Sequence, residues 1–265
     1  MQKLSKIVGL GLVVGGGFAG GFAGSAVAAD EPKRPWEVEV DLGAIATSGN
    51  TETTSIQAKV DAKQNLEQWE NQYILSSLFK EDEVAQDDDT TSKEKTAEKY
   101  FGSAKFAYLL GVEKSYLFGF GSHTTDYFGA YRTYNTIALG YGDWLYSSKS
   151  LNWFVEAGPG YFEGKKEIES DDPLVPDTYV DESGAMLRAA TALEWKITAT
   201  ATFKQTVSVE AGSDNTRTQT ETSLATSITD AMKMKVGFAV ANDTDVAPGK
   251  EKTDTTTFIN LVYSF

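Results

Sequence analysis

The sequence predicts an all-β fold, a transmembrane antiparallel up-and-down β-barrel of about 12 strands. Three observations predict it. Apolar and polar residues alternate with a period of two from Trp36 onward, long connections alternate with short turns, and the chain ends on an alternating stretch, 257–265, that closes with Phe265. A soluble sheet shares the first feature. In a soluble sheet, long and short connections are not expected to alternate, so we prefer the membrane barrel.

Residues 1–29 have the organisation of a secretory signal peptide. Lysines near the start are followed by an apolar stretch and by small residues suited to cleavage after Ala28 or Ala29. A transmembrane anchor is the weaker alternative, because glycines interrupt the apolar run and leave it too short to span a bilayer. We therefore expect residues 30–265 to form one barrel domain, exported to the outer membrane of a Gram-negative cell.

Composition excludes several classes of function. The chain has no cysteine, so it has neither disulfides nor the acylated cysteine of a lipoprotein. Its net charge of −14 argues against a nucleic-acid partner. His123 is the only histidine, which excludes metal sites built from several histidines. We expect no cofactor and no resident metal ion.

Alternating stretches account for most of the exported chain. In the first, Val40 and Leu42 lie opposite Glu39 and Asp41, and a Ser-Gly-Asn turn ends it. Later stretches repeat this arrangement of one apolar face and one polar face. They lie at about 36–46, 52–64, 69–79, 97–110, 115–125, 130–143, 151–164, 185–194, 203–210, 216–229, 232–240 and 257–265.

Aromatic residues and glycines dominate the middle of the chain. In the fifth stretch Tyr116, Phe118 and Phe120 alternate with glycines and His123. Because the apolar face of a membrane barrel meets lipid, we expect the aromatic face outside and His123 in the lumen near the extracellular end. The same rule places six glycines in the lumen, where they open space or permit sharp curvature: Gly119, Gly121, Gly140, Gly142, Gly158 and Gly160.

The later stretches and the connections complete the pattern. The eighth stretch sets Leu187 against Arg188, the tenth is rich in threonine, and the eleventh alternates apolar residues with lysines. Two long acidic segments, at about 81–95 and 165–180, are expected to be loops, the second because its prolines do not fit a strand interior. With the N-terminus in the periplasm, all long connections lie outside the cell.

Strand length and aromatic placement fit a membrane. Most of the stretches are about 11 to 14 residues long, which suits a tilted span of the bilayer. Aromatic residues are expected near strand ends, where they meet the membrane interfaces: Trp36, Trp69, Tyr100, Trp144, Trp153, Tyr263 and Phe265.

Several motifs resemble those of the salt-induced outer-membrane proteins built on domain of unknown function 481. They are Gly43 to Thr51 with its T-S-G-N-T turn, Asp126-Tyr127-Phe128, Tyr131-Arg132, the Gly-Tyr-Gly at 140–142, the Gly-Pro-Gly-Tyr at 158–161, and Phe265. The resemblance covers essentially the whole exported chain. It implies an outer-membrane location and a link to salt or osmotic conditions, and it implies no activity.

Charged residues of both signs are predicted to face the lumen. They are Glu37, Glu39, Asp41, Lys59, Asp61, Lys63, Lys105, Arg132, Glu156, Arg188, Glu194, Lys204, Glu210, Lys233 and Lys235. In one hypothesis they line a narrow channel for ions or small polar solutes. In the other they pair and fill the barrel, leaving a non-conducting structural or stress-response protein. We select Lys105, Arg132, Glu156 and Arg188 as candidates for the constriction.

An enzymatic function is the less favoured hypothesis. An outer-membrane phospholipase needs a serine, a histidine and an orienting asparagine on the outer face of the barrel, and a lumen-facing His123 does not meet that requirement. An omptin-type protease disagrees in strand number and motif. We therefore predict no catalytic residues.

The expected partners follow from the location. They are outer-membrane lipid and lipopolysaccharide, and the barrel-assembly machinery, which would recognise the last strand by its terminal Phe265. Weak binding of divalent cations is expected at the acidic loops, around Asp87-Asp88-Asp89 and Asp171-Asp172. We expect a monomer.

Overall fold

The structure is a computed structural model that describes residues 34–47, 53–85, 91–111, 115–168, 178–246 and 250–265. The predicted signal peptide and both acidic cation sites lie outside these residues. The strands are β1 (Trp36–Thr47), β2 (Thr53–Asn65), β3 (Trp69–Ala85), β4 (Thr91–Leu109), β5 (Ser115–Asp126), β6 (Thr133–Ser147), β7 (Leu151–Ile168), β8 (Thr178–Lys196), β9 (Ala201–Ala211), β10 (Thr216–Ser227), β11 (Met232–Asp243) and β12 (Thr253–Ser264).

Each strand pairs antiparallel with the next, and β12 pairs with β1, so the sheet is a closed barrel. The prediction of an up-and-down barrel of about 12 strands is confirmed. Closure reaches the last residue, because the N–H of Phe265 donates to the carbonyl of Val38 at 3.0 Å and the carbonyl of Phe265 accepts from the N–H of Val38 at 3.1 Å. Among the described residues no helix has the length and apolar character needed to cross a membrane.

Burial is inverted relative to a soluble sheet. In β2 the apolar Ile56 and Val60 are exposed, whereas Gln57, Lys59 and Asp61 are buried. Side chains alternate between the two faces of a strand, so the polar set points into the lumen and the apolar set points outward. Such a surface is stable when lipid surrounds it.

Two pairs of strands extend further than predicted. The acidic segment after Phe79 continues β3, because Glu81 lies opposite Lys95 and Glu83 opposite Lys93 on β4. Opposite charges on directly paired positions stabilise a ladder. β7 and β8 extend in the same way, and β4 and β8 reach 19 residues each, beyond the predicted 14. Residues 81–85 and 91–95 of the first expected loop, and 165–168 and 178–180 of the second, are therefore strand.

The two ends of the barrel differ. The termini and the turns after even-numbered strands lie at one end, here termed the terminal end, and the remaining connections lie at the loop end. Exposed aromatic side chains occur at both, with Trp36 and Trp69 at the terminal end and Tyr100 and Tyr127 at the loop end. Aromatic belts of this kind mark membrane interfaces. Trp144 is an exception to the prediction, since it packs on Phe154 inside the barrel.

Candidate functional site

The lumen face of β5 is aromatic, which corrects the predicted orientation of that strand. Tyr116 and Phe118 are buried, whereas Leu117, on the opposite face, is 51% exposed. Gly119 and His123 share the face of Leu117 and therefore point outward. The rule that the more apolar face meets lipid fails here, because the barrel encloses these rings instead of water.

Glycines on β6 and β7 make room for those rings. Gly140 and Gly142 face the lumen as predicted, and so do Gly158 and Gly160, whereas Gly119 and Gly121 do not. A Cβ on Gly140 would lie 2.7 Å from Cε1 of Phe118, and one on Gly142 would overlap the Tyr116 ring. The space that these two glycines leave is thus occupied by side chains of β5.

Three of the four predicted constriction residues meet at one level of the lumen. Glu156 on β7 accepts a hydrogen bond from Nη1 of Arg188 at 2.7 Å and forms an ion pair with Lys105. The hydroxyl of Tyr116 donates to the same carboxylate at 2.9 Å. We term these four residues the lumen layer. β4 and β7 are three strands apart at about 4.8 Å per strand, so the contact between Lys105 and Glu156 bridges two intervening strands.

The lumen layer is shielded from water. The side chains of Lys105, Glu156 and Arg188 are 3%, 0% and 2% exposed. Aromatic rings complete the enclosure: Lys105 Nζ lies 5.0 Å from the ring centroid of Phe154, and the guanidinium carbon of Arg188 lies 4.0 Å from that of Phe120. Cations over aromatic faces are attracted by the ring quadrupole, which offsets part of the cost of burying them.

Charge is balanced within the layer and its surroundings. Nε of Arg188 lies 3.8 Å from Glu210, so two cations face two carboxylates. Beside this pair is a small cavity of about 20 Å³, lined by residues that include Ser208 and Arg217. That volume holds about one water molecule.

The other predicted lumen charges lie on the inward face of their strands by the same alternation: Glu37, Glu39, Asp41, Lys59, Asp61, Lys63, Glu194, Lys204, Glu210, Lys233 and Lys235. Two of the lysines form ion pairs across β12, the closing strand. Lys233 on β11 reaches over β12 to Glu39 on β1 at 2.8 Å, and Lys235 forms an ion pair with Asp41. These pairs join the strands on either side of β12.

Arg132 does not belong to the constriction, which corrects that prediction. It precedes β6, and its guanidinium carbon lies 3.6 Å from the ring centroid of Tyr127 at the loop end. The chain bends between β5 and β6 at this point, so strand alternation does not extend to Arg132. Next to it, burial and a 2.9 Å hydrogen bond to Glu182 raise the pKa of Tyr131.

A polar cluster that sequence reasoning missed lies on the outer face of the barrel near the loop end. His123 Nδ1 lies 2.6 Å from Oδ1 of Asn135, and its Nε2 lies 3.1 Å from Oγ1 of Thr125. His123 and Thr125 share a face at a spacing of two residues, a signal present in the sequence. The third member, Asn135 on β6, can be identified only from the strand register, which pairs it with His123.

Metal-binding geometry is not found in the described ranges, where no group of three or more His, Cys, Asp or Glu side chains is arranged to hold an ion. The charged groups of the lumen neutralise one another. The outer-face cluster is built from an imidazole, a hydroxyl and an amide, which suits proton transfer better than metal coordination.

Comparison with known proteins agrees with the architecture. Residues 40–265 match the family described as "Protein of unknown function, DUF481". The chain is 28% identical over 242 residues to "Uncharacterized protein YdiY" of Escherichia coli (strain K12), covering 89% of this chain and 86% of that one. Among solved structures, the translocator domain of the autotransporter NalP from Neisseria meningitidis matches with a TM-score of 0.51 and 13% identity, covering 89% of this chain and 90% of that one. The NanC porin matches with a TM-score of 0.45 and 9% identity, covering 86% and 97%.

Proposed function

This chain belongs to the DUF481 family, whose description assigns no activity, and we propose from its geometry that it is an outer-membrane β-barrel closed at rest by its lumen layer. The observation that carries the proposal is the complete burial of Glu156 between Lys105 and Arg188. A water-filled constriction would leave such groups hydrated. Here a carboxylate and two cations fill the passage together with aromatic rings.

Burial of the layer also bears on the expected link to salt or osmotic conditions. Exposed ion pairs weaken at high ionic strength, because the Debye length falls to about 3 Å at 1 M salt. Buried pairs are screened much less. We therefore propose that the barrel keeps its lumen closed across a wide range of salt concentration, which suits a protein of the surface under osmotic stress.

A narrow channel for ions or small polar solutes is the second candidate. Polar lining away from the layer favours it: Gln57, Lys59 and Asp61 face the lumen, and Gln72 donates to Asp61 at 2.8 Å. Conduction would require the layer to open, and the two signs of charge in it would then govern ion selectivity.

Planar-bilayer conductance separates these candidates. We expect the folded wild-type protein to give no discrete steps at either low or ~1 M potassium chloride, because the layer is screened little. The double variant Lys105→Ala/Glu156→Ala leaves Arg188 with its Glu210 partner and empties the passage, so it should conduct. Lys233→Ala, at a half-exposed pair, is the matched control and should stay silent.

Each outcome decides between the candidates. Steps from the wild type would refute closure at rest and favour the channel. Silence of the double variant, with heat-dependent gel mobility confirming a folded barrel, would show that the lumen layer does not close the passage.

A further inference from the structure

The outer-face cluster has the hydrogen-bond order of a nucleophile, a base and an orienting group. Oδ1 of Asn135 is an acceptor, so the 2.6 Å contact assigns a proton to Nδ1 of His123. In the neutral imidazole with this tautomer, Nε2 is the acceptor for the Thr125 hydroxyl at 3.1 Å. A base that is held in one tautomer and is hydrogen-bonded to a hydroxyl can activate that hydroxyl as a nucleophile.

The cluster lies where lipid esters lie. His123 is exposed on the outer face, three residues before the loop-end terminus of β5. Thr125 pairs with Tyr100, whose ring is 49% exposed and belongs to the loop-end aromatic belt. Interfacial tyrosines sit at the level of lipid headgroups. The hydroxyl of Thr125 is therefore at the boundary between headgroups and acyl chains.

An apolar groove leads along the barrel surface to the cluster. It has a volume of about 490 Å³ and runs over β2, β3 and β4 to His123. Small outward residues, Ala58 and Gly102, form part of its floor, and Leu75 and Tyr100 line it. One cross-strand row crosses it, since Leu75 pairs with Gly102, which pairs with His123. A groove that is continuous with the lipid-facing surface suits an acyl chain from the surrounding leaflet.

From these features we propose that Thr125, His123 and Asn135 form a hydrolytic site for acyl esters of membrane lipids. This hydrolytic activity is a function in addition to the proposed closed barrel, and it does not depend on the lumen layer. It also revises the expectation that the protein is not an enzyme, because that expectation placed His123 in the lumen.

The reaction proceeds in two balanced steps. Thr125 Oγ1 attacks the ester carbonyl carbon while its proton passes to His123 Nε2. The bond to the alcohol then breaks, the leaving alkoxide takes that proton, and an acyl-threonine ester is left. Water attacks this ester as its proton passes to His123, and the threonine oxygen leaves and is reprotonated, releasing the fatty acid. Asn135 is a positioning residue that holds the imidazole.

The test uses the full protein, extracted folded from outer membranes and placed in vesicles of phospholipid that carries a fluorescent acyl chain. Wild type should release the labelled fatty acid. Thr125→Val, which removes the hydroxyl at nearly constant shape, and His123→Gln should each lower the rate at least ~100-fold. Thr125→Ser should retain activity. Thr133→Val, the outward neighbour of Thr125 on β6, is the matched control and should leave the rate unchanged.

A covalent readout accompanies the rate. A long-chain alkyl sulfonyl fluoride, which loses fluoride to an activated hydroxyl, should add once to Thr125 by mass spectrometry, and Thr125→Val should abolish the adduct. In the groove, Ala58→Leu should shift preference toward shorter acyl chains, whereas Ala189→Leu, exposed on β8, should not.

The result that would overturn the proposal is equal release by wild type and Thr125→Val, including no release by either. An adduct that persists in folded Thr125→Val would do the same, because the reactive group would lie elsewhere. Gel mobility before and after boiling identifies any variant that has not folded.

Discussion

Glu156→Gln is the sharpest test of the lumen layer. The substitution keeps the shape of the side chain and removes the charge that holds Lys105 and Arg188. Hydrogen bonds to charged groups contribute about 1.5–3 kcal/mol each, and removing one partner of a buried ion pair costs about 3–5 kcal/mol. We expect a loss of about 3–5 kcal/mol, because the carboxylate is 0% exposed and water cannot replace it.

The assay is unfolding in urea, followed by gel mobility of folded and unfolded forms. With a slope of about 1–3 kcal/mol per molar urea, the midpoint should fall by ~1–5 M. Adding Lys105→Met to Glu156→Gln removes the cation that was left without its counter-charge. The double variant should be more stable than the single one, since residues in one network do not act additively.

A free energy of unfolding for Glu156→Gln within ~0.5 kcal/mol of wild type would refute this reasoning, because that is the effect of a solvated surface substitution. It would mean that water reaches the lumen layer. If adding Lys105→Met does not restore stability, the loss of stability in Glu156→Gln does not come from the buried Lys105 cation.

Two further predictions use the same unfolding assay. Gly142→Ala should cost about 1–3 kcal/mol by overpacking, because the new methyl group would overlap the Tyr116 ring, whereas Gly121→Ala should be neutral, with the nearest atom 3.8 Å away. Lys235→Met should cost about 3–5 kcal/mol, since it leaves a carboxylate that is only 5% exposed without its ion pair beside the closing strand. Lys233→Met, at a pair whose side chains are 33% and 46% exposed, should cost less than about 1 kcal/mol.

β5 shows how far the sequence could predict the site. Alternation correctly assigned Tyr116, Phe118 and Phe120 to one face and His123 to the other. It could not say which face is inside, because a period of two is the same for both. The aromatic face turns inward since glycines on β6 leave space for its rings. That space depends on register between strands, which a single stretch of sequence does not contain.

By itself the sequence determined the strand number, the closed architecture and the face on which most lumen charges lie, because these follow from local alternation and from the lengths of connections. It also selected Lys105, Glu156 and Arg188, because alternation places all three on the polar, inward face of their strands. Only the tertiary structure decided that Arg132 lies apart, that β3, β4, β7 and β8 extend into the expected loops, and that His123 meets Asn135 on the lipid side. Each of these depends on which residues the register places opposite one another, and register is a property of two strands together.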